Sequence, residues 1–432
     1  MENSNSNLIY GIKDKPKTAK EWILYPFQQV IAVLTATLLI SSVCGTPLDS
    51  GLAAAGIGTL VYLILSGFKI PMFVSNAGGT VSAVISTLAL SGGNPFAVMV
   101  GGFITAILYF CVGLGIKKSG TAWLNKLLPD YLIGSIILVI GINLSKFSVT
   151  YMQVNGEYSL IGTLIGFFVM FITAVVARYG KGFIKTIPFL IALAVGYIVC
   201  LILEPFGIHL LNLSAFNNLT LFSIPKFAFL SANPASFNWA WVPQIVIMWV
   251  ATSAALLLEH IGDHKSLSAV IGTDVTVVPG LHRSLWADGL ASFIGCVVGY
   301  QPNTSYGESI SCTAVSRVGS TYVIGTAALM MILASFFRPL MAFFESISSV
   351  LFGGISLIAY GFIAFSGLNT LIQSKISYND TAKVMVVCSV LTVGIGGISL
   401  ILGPVTFSGV SLSMIIGVLM NLILNYKNQK NI

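Results

Sequence analysis

The chain has 432 residues, of which 56% are hydrophobic and 8% charged, with a formal net charge of +7. A soluble surface needs about a quarter of its residues charged, so a water-soluble globule is excluded. The basic excess sits at the ends of apolar runs, a placement that fits membrane insertion and not nucleic-acid binding.

Apolar runs long enough for a ~30 Å hydrocarbon core, at about 20 residues per helical crossing, recur along nearly the whole length. None shows the period-2 pattern of a barrel strand, so the spans are expected to be helical. Residues 1–21 are polar, carry Lys13, Lys15, Lys17 and Lys20, and are expected to form a cytoplasmic tail. The run behind them is too long for a signal peptide and lacks a small-x-small cleavage site. Helices are predicted near 22–42, 50–67, 94–116, 131–149, 158–178 and 184–204, with a short broken one at 72–90. An extracellular loop is expected at 205–237. The second set is predicted near 238–263, 283–300, 319–337, 342–368, 382–402 and 407–426, with a short broken one at 303–317 and a cytoplasmic tail at 427–432.

The expected fold class is an all-α integral membrane protein of 14 transmembrane segments in two inverted repeats of seven. Eighteen of the 21 Lys and Arg residues, among them Lys185, Lys427 and Lys430, fall on the side of the termini, and Lys146, Lys226 and Arg338 on the other. That asymmetry predicts cytoplasmic termini in a multi-pass protein of the cell membrane. The six cysteines (44, 111, 200, 296, 312 and 388) form no pair or cluster, so neither a disulfide framework nor a metal site is expected.

Gly and Pro interrupt the third element of each half, in IPMFVSNAGGT at 70–80 and QPNTSYGES at 301–309. Irregular backbone at membrane depth leaves N–H and C=O groups that only protein, water or ligand can satisfy. Half-helices starting near Gly78 and Gly307 would aim free N–H donors at a ligand carbonyl. Paired breaks at matching positions are the sequence mark of a transporter's substrate site.

Glu259, Asp263, Asp288 and Glu308 lie away from the predicted loops, where a charge costs ~2.5–3.5 kcal/mol at bilayer depth. Hydropathy alone allows Glu259 to mark the cytoplasmic end of its helix, because the run from Trp239 to Leu258 already spans the core. Asp263 follows one turn later on the same face. Two ionised carboxylates at i and i+4 repel, and a proton held by one relieves the repulsion. His260 and His264 either relay protons or face cytoplasmic water. Glu308, inside the second break, is expected to act in function, whereas Asp288 is read as an interfacial first-turn acid. His260-Ile-Gly-Asp-His264 is also one substitution from the inverted zinc-protease pattern, in which two histidines share a metal. A membrane zinc peptidase is therefore a distant alternative, though it accounts for neither the repeat nor Glu308.

Glu259-His-Ile-Gly262, Pro279-Gly-Leu-His-Arg-Ser284 and Pro302-Asn-Thr-Ser-Tyr-Gly-Glu308 together resemble the uracil permeases of the nucleobase/ascorbate transporter (nucleobase cation symporter-2) family. The likeness extends to Lys69-Ile-Pro71, to Gly120-Thr-Ala-Trp123 and to Ser-Gly-Val-Ser-Leu at 408–412, and so covers most of the chain. It implies a core domain of segments 1–4 (22–128) and 8–11 (238–337), and a gate domain of segments 5–7 (129–204) and 12–14 (338–426). It also implies short strands near 73–77 and 303–307 that cross antiparallel beside the substrate, and a homodimer formed through gate domains.

On that resemblance Glu259 and Glu308 hold a nucleobase, the amides of Gly307, Ser309 and the Gly78-Gly79 turn meet its carbonyls, and Tyr306 packs against its ring. Glu259 and Asp263, with His260 and His264 beside them, would carry the coupled proton. The implied activity is proton-coupled uptake of uracil by alternating access, with no enzymatic step and no cofactor. Three departures stand out. Asp263 looks like the purine-carrying branch, where some uracil permeases have a histidine. Ser309, Ser311 and Ser316 stand where the signature has Asn, Gly and Thr, and Gly78 or its neighbour replaces an aromatic of some uracil carriers. A xanthine or oxopurine proton symporter is the second reading.

Overall fold

The computed structural model describes residues 8–425 apart from 155, 182–183, 185–186, 218, 399, 403–404 and 408. Lys185, Lys427, Lys430, the tail expected at 427–432 and the first seven residues of the expected N-terminal tail lie outside the described residues.

The first half of the chain runs α1 (Ala19–Val43), α2 (Leu48–Ser66), β1 (Val74–Asn76), α3 (Val81–Leu90), α4 (Pro95–Ser119), α5 (Ala122–Leu127), α6 (Asp130–Tyr151), α7 (Leu160–Tyr179) and α8 (Pro188–Leu203). The connection carries a short helix, α9 (Ala228–Ser231). The second half runs α10 (Val242–Ile271), α11 (Leu281–Gly299), β2 (Asn303–Ser305), α12 (Gly307–Ser316), α13 (Thr321–Phe336), α14 (Arg338–Ser346), α15 (Ser349–Gln373) and α16 (Thr381–Ile395). A hairpin of β3 (Leu400–Leu402) and β4 (Val405–Phe407) then leads into α17 (Gly409–Leu424). Apart from that hairpin, the order of elements is the same in both halves. Among the described residues, eight helices are long and apolar enough to cross a membrane.

β1 and β2 pair antiparallel, with Val74 opposite Ser305, Ser75 opposite Thr304 and Asn76 opposite Asn303. Opposed strands are what an inverted relation between the halves requires. α3 and α12 have ten residues each, about 15 Å of helix, or half the hydrocarbon thickness. Neither is long enough to cross the layer alone. Around the strand pair, α11 packs on α2 and α4, α13 on α1 and α2, and α10 on α4 and α12. In a second group α15 lies on α6, α7 and α8, and α16 on α6 and α17; α10 also touches α6 and α17, and α1 touches α15 and α8, so the two groups share a contact face.

Within the second group, α6 and α15 touch backbone to backbone. A Cβ placed on Gly367 would lie 2.3 Å from the Leu138 amide nitrogen and 2.7 Å from the Gly134 carbonyl oxygen. One placed on Gly141 would lie 2.3 Å from the Ala364 nitrogen. Lipid tails are as apolar as side chains, so helices in a bilayer associate through this kind of close approach.

Four expectations on element boundaries are corrected. The helix expected to end near 263 continues to Ile271 and stops at Gly272, whose φ of 70° ends it in the left-handed region. Hydropathy falls after Leu258 because this last part is polar, while the helix itself persists. The span expected at 342–368 is two helices, α14 and α15, divided at Ile347–Ser348, where Ser348 caps the second. The helix expected to reach 402 ends at Ile395, ahead of Gly396 and the positive-φ Gly397. Residues 9–14 are not a free tail. The Ile9 amide donates to the Arg317 carbonyl at 2.7 Å, Gly319 to Tyr10 at 2.9 Å and Thr321 to Ile12 at 3.0 Å, and Tyr10 is buried.

Gly367→Ala should lower stability by about 1–3 kcal/mol, the usual cost of forcing a methyl group into a filled contact. The measurement is the thermal unfolding midpoint in detergent, and a midpoint equal to wild type would mean that α6 and α15 do not meet there.

Candidate functional site

The site is built on the backbone that cannot hydrogen-bond to itself. Two three-residue strands satisfy only part of their own N–H and C=O groups, so neighbouring side chains supply the rest. The Thr59 hydroxyl donates to the Val74 carbonyl at 2.8 Å and accepts from the Val74 amide at 3.0 Å. The Tyr306 hydroxyl donates to the Asn76 carbonyl at 2.9 Å, and Ser292 donates to the Asn303 carbonyl. Asn76 anchors β1 to α1 by donating to the Thr37 carbonyl at 3.2 Å and the Ser41 hydroxyl at 2.9 Å. Asn303 anchors β2 to α2 by donating to the Ala54 carbonyl at 2.8 Å.

Beyond the strands the chain turns into the two half-helices. Gly78–Thr80 forms a 3-10 turn ahead of α3, and Gly307 opens α12. The first amides of a helix have no carbonyl behind them, so both N-termini present donors and partial positive charge toward the same space. Glu308 sits in the first turn of α12, where that charge stabilises an acid. Glu259 and Asp263 come to the space from α10, one helical turn apart. Asp263 accepts a 2.8 Å hydrogen bond from the Ser305 hydroxyl, and the three carboxylates lie close enough to feel one another's charge. All three are half-buried.

Glu259 is not a helix end. It lies about 26 Å along α10 from Val242 at 1.5 Å per residue, in a helix of 30 residues. The helix is longer than the hydrocarbon core, and the turn of Trp239–Trp241 precedes it with Trp239 68% exposed.

The remaining ionisable groups are tied elsewhere. His260 is fully buried, with Nδ1 at 2.9 Å from Asp288 Oδ2 and Nε2 at 2.9 Å from Ser284 Oγ. His264 is equally buried, its Nδ1 at 2.7 Å from the His260 carbonyl and its Nε2 at 2.6 Å from the Tyr62 hydroxyl. A carbonyl only accepts, so His264 Nδ1 carries hydrogen and Nε2 accepts from Tyr62. Both histidines were expected either to relay protons or to face water. The second choice is corrected, because the polar stretch of α10 has one face turned inward against α2 and α11. Asp288 is corrected too: it lies in the eighth position of α11, fully buried against His260, and is neither interfacial nor in the first turn. All four imidazole nitrogens have partners, which removes the geometry that the zinc-peptidase alternative needs. Among the described residues, no group of three His, Cys, Asp or Glu side chains is arranged to hold a metal.

Of the other residues picked out in the sequence, Ser309 does not turn its amide toward the space. Its amide donates to the Tyr306 carbonyl at 3.1 Å, and its hydroxyl accepts from the Phe73 amide at 3.2 Å. Tyr306 is buried with its hydroxyl committed to Asn76. Gly79 brings its turn close to the acid, since a Cβ there would lie 2.9 Å from Leu256 and 3.9 Å from Glu259 Oε2. Gly307 is different. It is exposed, needs no positive φ, and a Cβ there would have nothing within 4 Å. Gly262, between Glu259 and Asp263, shares all three properties; the sequence names it within the Glu259-His-Ile-Gly262 motif but not as a site residue. Its signal was a glycine inside a helix, which costs about 1 kcal/mol against alanine and asks for a reason.

Comparison with known proteins follows the same line. The Permease family model Xan_ur_permease matches residues 20–403. The uracil permease of Bacillus caldolyticus is 34% identical over 421 residues, covering 96% of this chain and 94% of its own. The uracil permease of Bacillus subtilis (strain 168) is 32% identical, covering 98% and 96%, and that of Escherichia coli (strain K12) 31%, covering 96% and 93%. Among solved structures, the transmembrane domain of the cyanobacterial bicarbonate transporter BicA aligns with a TM-score of 0.64 at 13% identity, over 95% of this chain and 98% of its own. SLC26A9 aligns with a TM-score of 0.69 at 12% identity, over 94% of this chain and 65% of its own. At such identities these two structures speak to the fold alone. The family match over nearly the whole length, on a helical chain with a broken-helix site, makes this protein a multi-pass membrane transporter of the Xan_ur_permease family.

Proposed function

We propose that the protein takes up uracil with a proton across the cell membrane by alternating access. The observation that carries this reading is the convergence of Glu259 and Glu308 on the space where two half-helices begin. Uracil presents N–H donors and carbonyl acceptors on one planar edge. Carboxylates accept from the former, and the amides at Gly78, Gly79 and Gly307 donate to the latter. The names of the similar permeases support the same base. The Ser309 amide has no part in this contact, because it already donates to the Tyr306 carbonyl.

In this reading Asp263 and Glu259 share the coupled proton, while His260, His264 and Asp288 hold α10 against α2 and α11. A core of 22–128 and 238–337 moves against a gate of 129–204 and 338–426, within 14 segments whose termini lie in the cytoplasm. Two copies meet through the gate. One observation favours the second reading, a xanthine or oxopurine symporter: a Cβ at Gly262 or Gly307 would have no neighbour within 4 Å, so small side chains leave open space on these two helices.

Glu259→Gln and Glu308→Ala, each inserted at wild-type levels, should cut uptake of labelled uracil under a proton gradient at least about tenfold, the loss expected when a hydrogen bond to a charged group is removed. Wild-type uptake in either variant would remove that residue from the site. Gly307→Ala should melt at or above the wild-type temperature, because the methyl group meets no protein atom, yet bind the base more weakly. Unchanged affinity would mean that the base does not approach Gly307. A thermal-shift panel of uracil, xanthine, hypoxanthine, uric acid and ascorbate should show the largest rise with uracil, and a larger rise with xanthine would select the second reading.

A further inference from the structure

The two ends of the space between the helix groups are not alike. Toward the end carrying residues 8–18, α12 exposes Gly307, Ser311, Ala314 and Val315, and α10 exposes Gly262, Lys265, Ser266 and Ala269. Each set recurs every three or four residues and so forms one stripe on its helix. Lipid-facing stripes in this protein carry large apolar groups, such as Leu164, Phe167, Phe168 and Phe171 of α7. The α10 and α12 stripes are mostly small or polar, and they flank a seam because the two helices pack together. Glu259, Asp263 and Glu308, each half-buried, lie on the same two helices as these stripes.

At the opposite end the two groups are in contact. The Tyr151 hydroxyl, at the last residue of α6, donates to the Ser42 carbonyl near the end of α1 at 2.8 Å. That carbonyl has no intrahelical partner of its own, being in the last turn; the Gly45 amide also reaches it, at 3.0 Å. Cys44, Phe344, Phe352 and Tyr360 are buried around it. A cavity of about 610 Å³, lined by Ser42, Thr46, Leu48, Asn212, Glu345 and other residues, lies on this side.

We infer that Tyr151 is the latch that closes this end of the transporter, and that the hydrogen bond to Ser42 holds the form open toward the N-terminal end. The repeat says what the other form looks like. In element order α1 corresponds to α10 and α6 to α15, and β1 against β2 relates the two halves by an inverted axis. The operation carries the latched ends of α1 and α6 onto the far ends of α10 and α15. There Ile372, one residue from the end of α15, is 65% exposed. In this inference the reverse form closes that end of α15 and releases Tyr151 from Ser42. The inference rests on the transporter family and not on which base is carried.

Cys44 is a native reporter, because its thiol is shielded only while the latch is closed. In detergent-purified protein treated with a maleimide, with modification read per cysteine by peptide mass, Tyr151→Phe should speed labelling of Cys44. The expected gain is about fivefold, the population shift from one lost net hydrogen bond. The variant keeps the aromatic ring and removes no packing. Because the two forms exchange, a cysteine introduced by Ser311→Cys on the open stripe should be labelled more slowly when Tyr151→Phe is added. An unchanged rate at Cys44 would overturn the latch. Faster labelling of Cys44 with no slowing at Ser311→Cys would overturn it as well, since that pattern is local fraying. No base is present in the experiment, so its failure leaves the uracil reading standing.

Discussion

The rest of the structure depends on one constraint: backbone that is neither helix nor barrel must find partners in the middle of a layer that offers none. Two three-residue strands cross there, and each is completed from outside itself. Thr59 serves both the amide and the carbonyl of Val74, Tyr306 reaches back to Asn76, and the Asn76 and Asn303 side chains pin the strands to α1 and α2. An unsatisfied group at that depth costs several kcal/mol, so the crossing persists only with its whole set of partners. What the crossing provides is two helix N-termini in the hydrocarbon layer, facing one space. The carboxylates tolerated beside them follow from that.

Six ionisable groups lie in or beside this space, and hydrogen bonding divides them. His260, His264 and Asp288 are fully buried and bond to one another together with Ser284 and Tyr62, through both nitrogens of each imidazole and Oδ2 of Asp288. The two imidazole rings stack with centroids 3.8 Å apart, which fixes one face of α10. Glu259, Asp263 and Glu308 are half-buried, and of these Asp263 has a protein donor in Ser305. One face of a single helix thus carries a rigid polar network, and the adjacent face carries acids that can exchange partners. Pre-organisation of this sort lowers the ordering cost of binding a small planar ligand.

The repeated order of elements, the two breaks and the acids Glu259, Asp263 and Glu308 were legible in the sequence because each violates an expectation that hydropathy sets up. Glycine and proline stand out in an apolar run, and so does a carboxylate. What was not legible is which way each polar residue of α10 faces. Glu259, His260, Asp263 and His264 are close in sequence, and hydropathy averages over the helix circumference. Only packing against α2 and α11 separates the histidines from the acids. The same averaging ended α10 early and made Asp288 look interfacial. Gly262 and Ser309 failed in opposite directions. A glycine inside a helix reads as noise until the space beside it is known, and a serine in a motif reads as a donor until its own helix turn is seen to use it.

The halves share geometry but not chemistry. In the first half, α1 has its one acid, Glu21, in the first turn, α2 has Asp49 in the same place, and α3 and α4 have none. Glu259, Asp263, Asp288 and Glu308 all come from the second half. A symmetric site would set a second group of carboxylates against the first across a few ångströms of low dielectric, and their repulsion would oppose the close crossing of β1 and β2. The first half instead contributes neutral parts: the Gly78-Gly79 turn, the Asn76 anchor and the Thr37 and Thr59 hydroxyl groups. The repeated order of elements supplies the opposed half-helices, and confinement of charge to the second half removes a repulsion that would oppose their close approach.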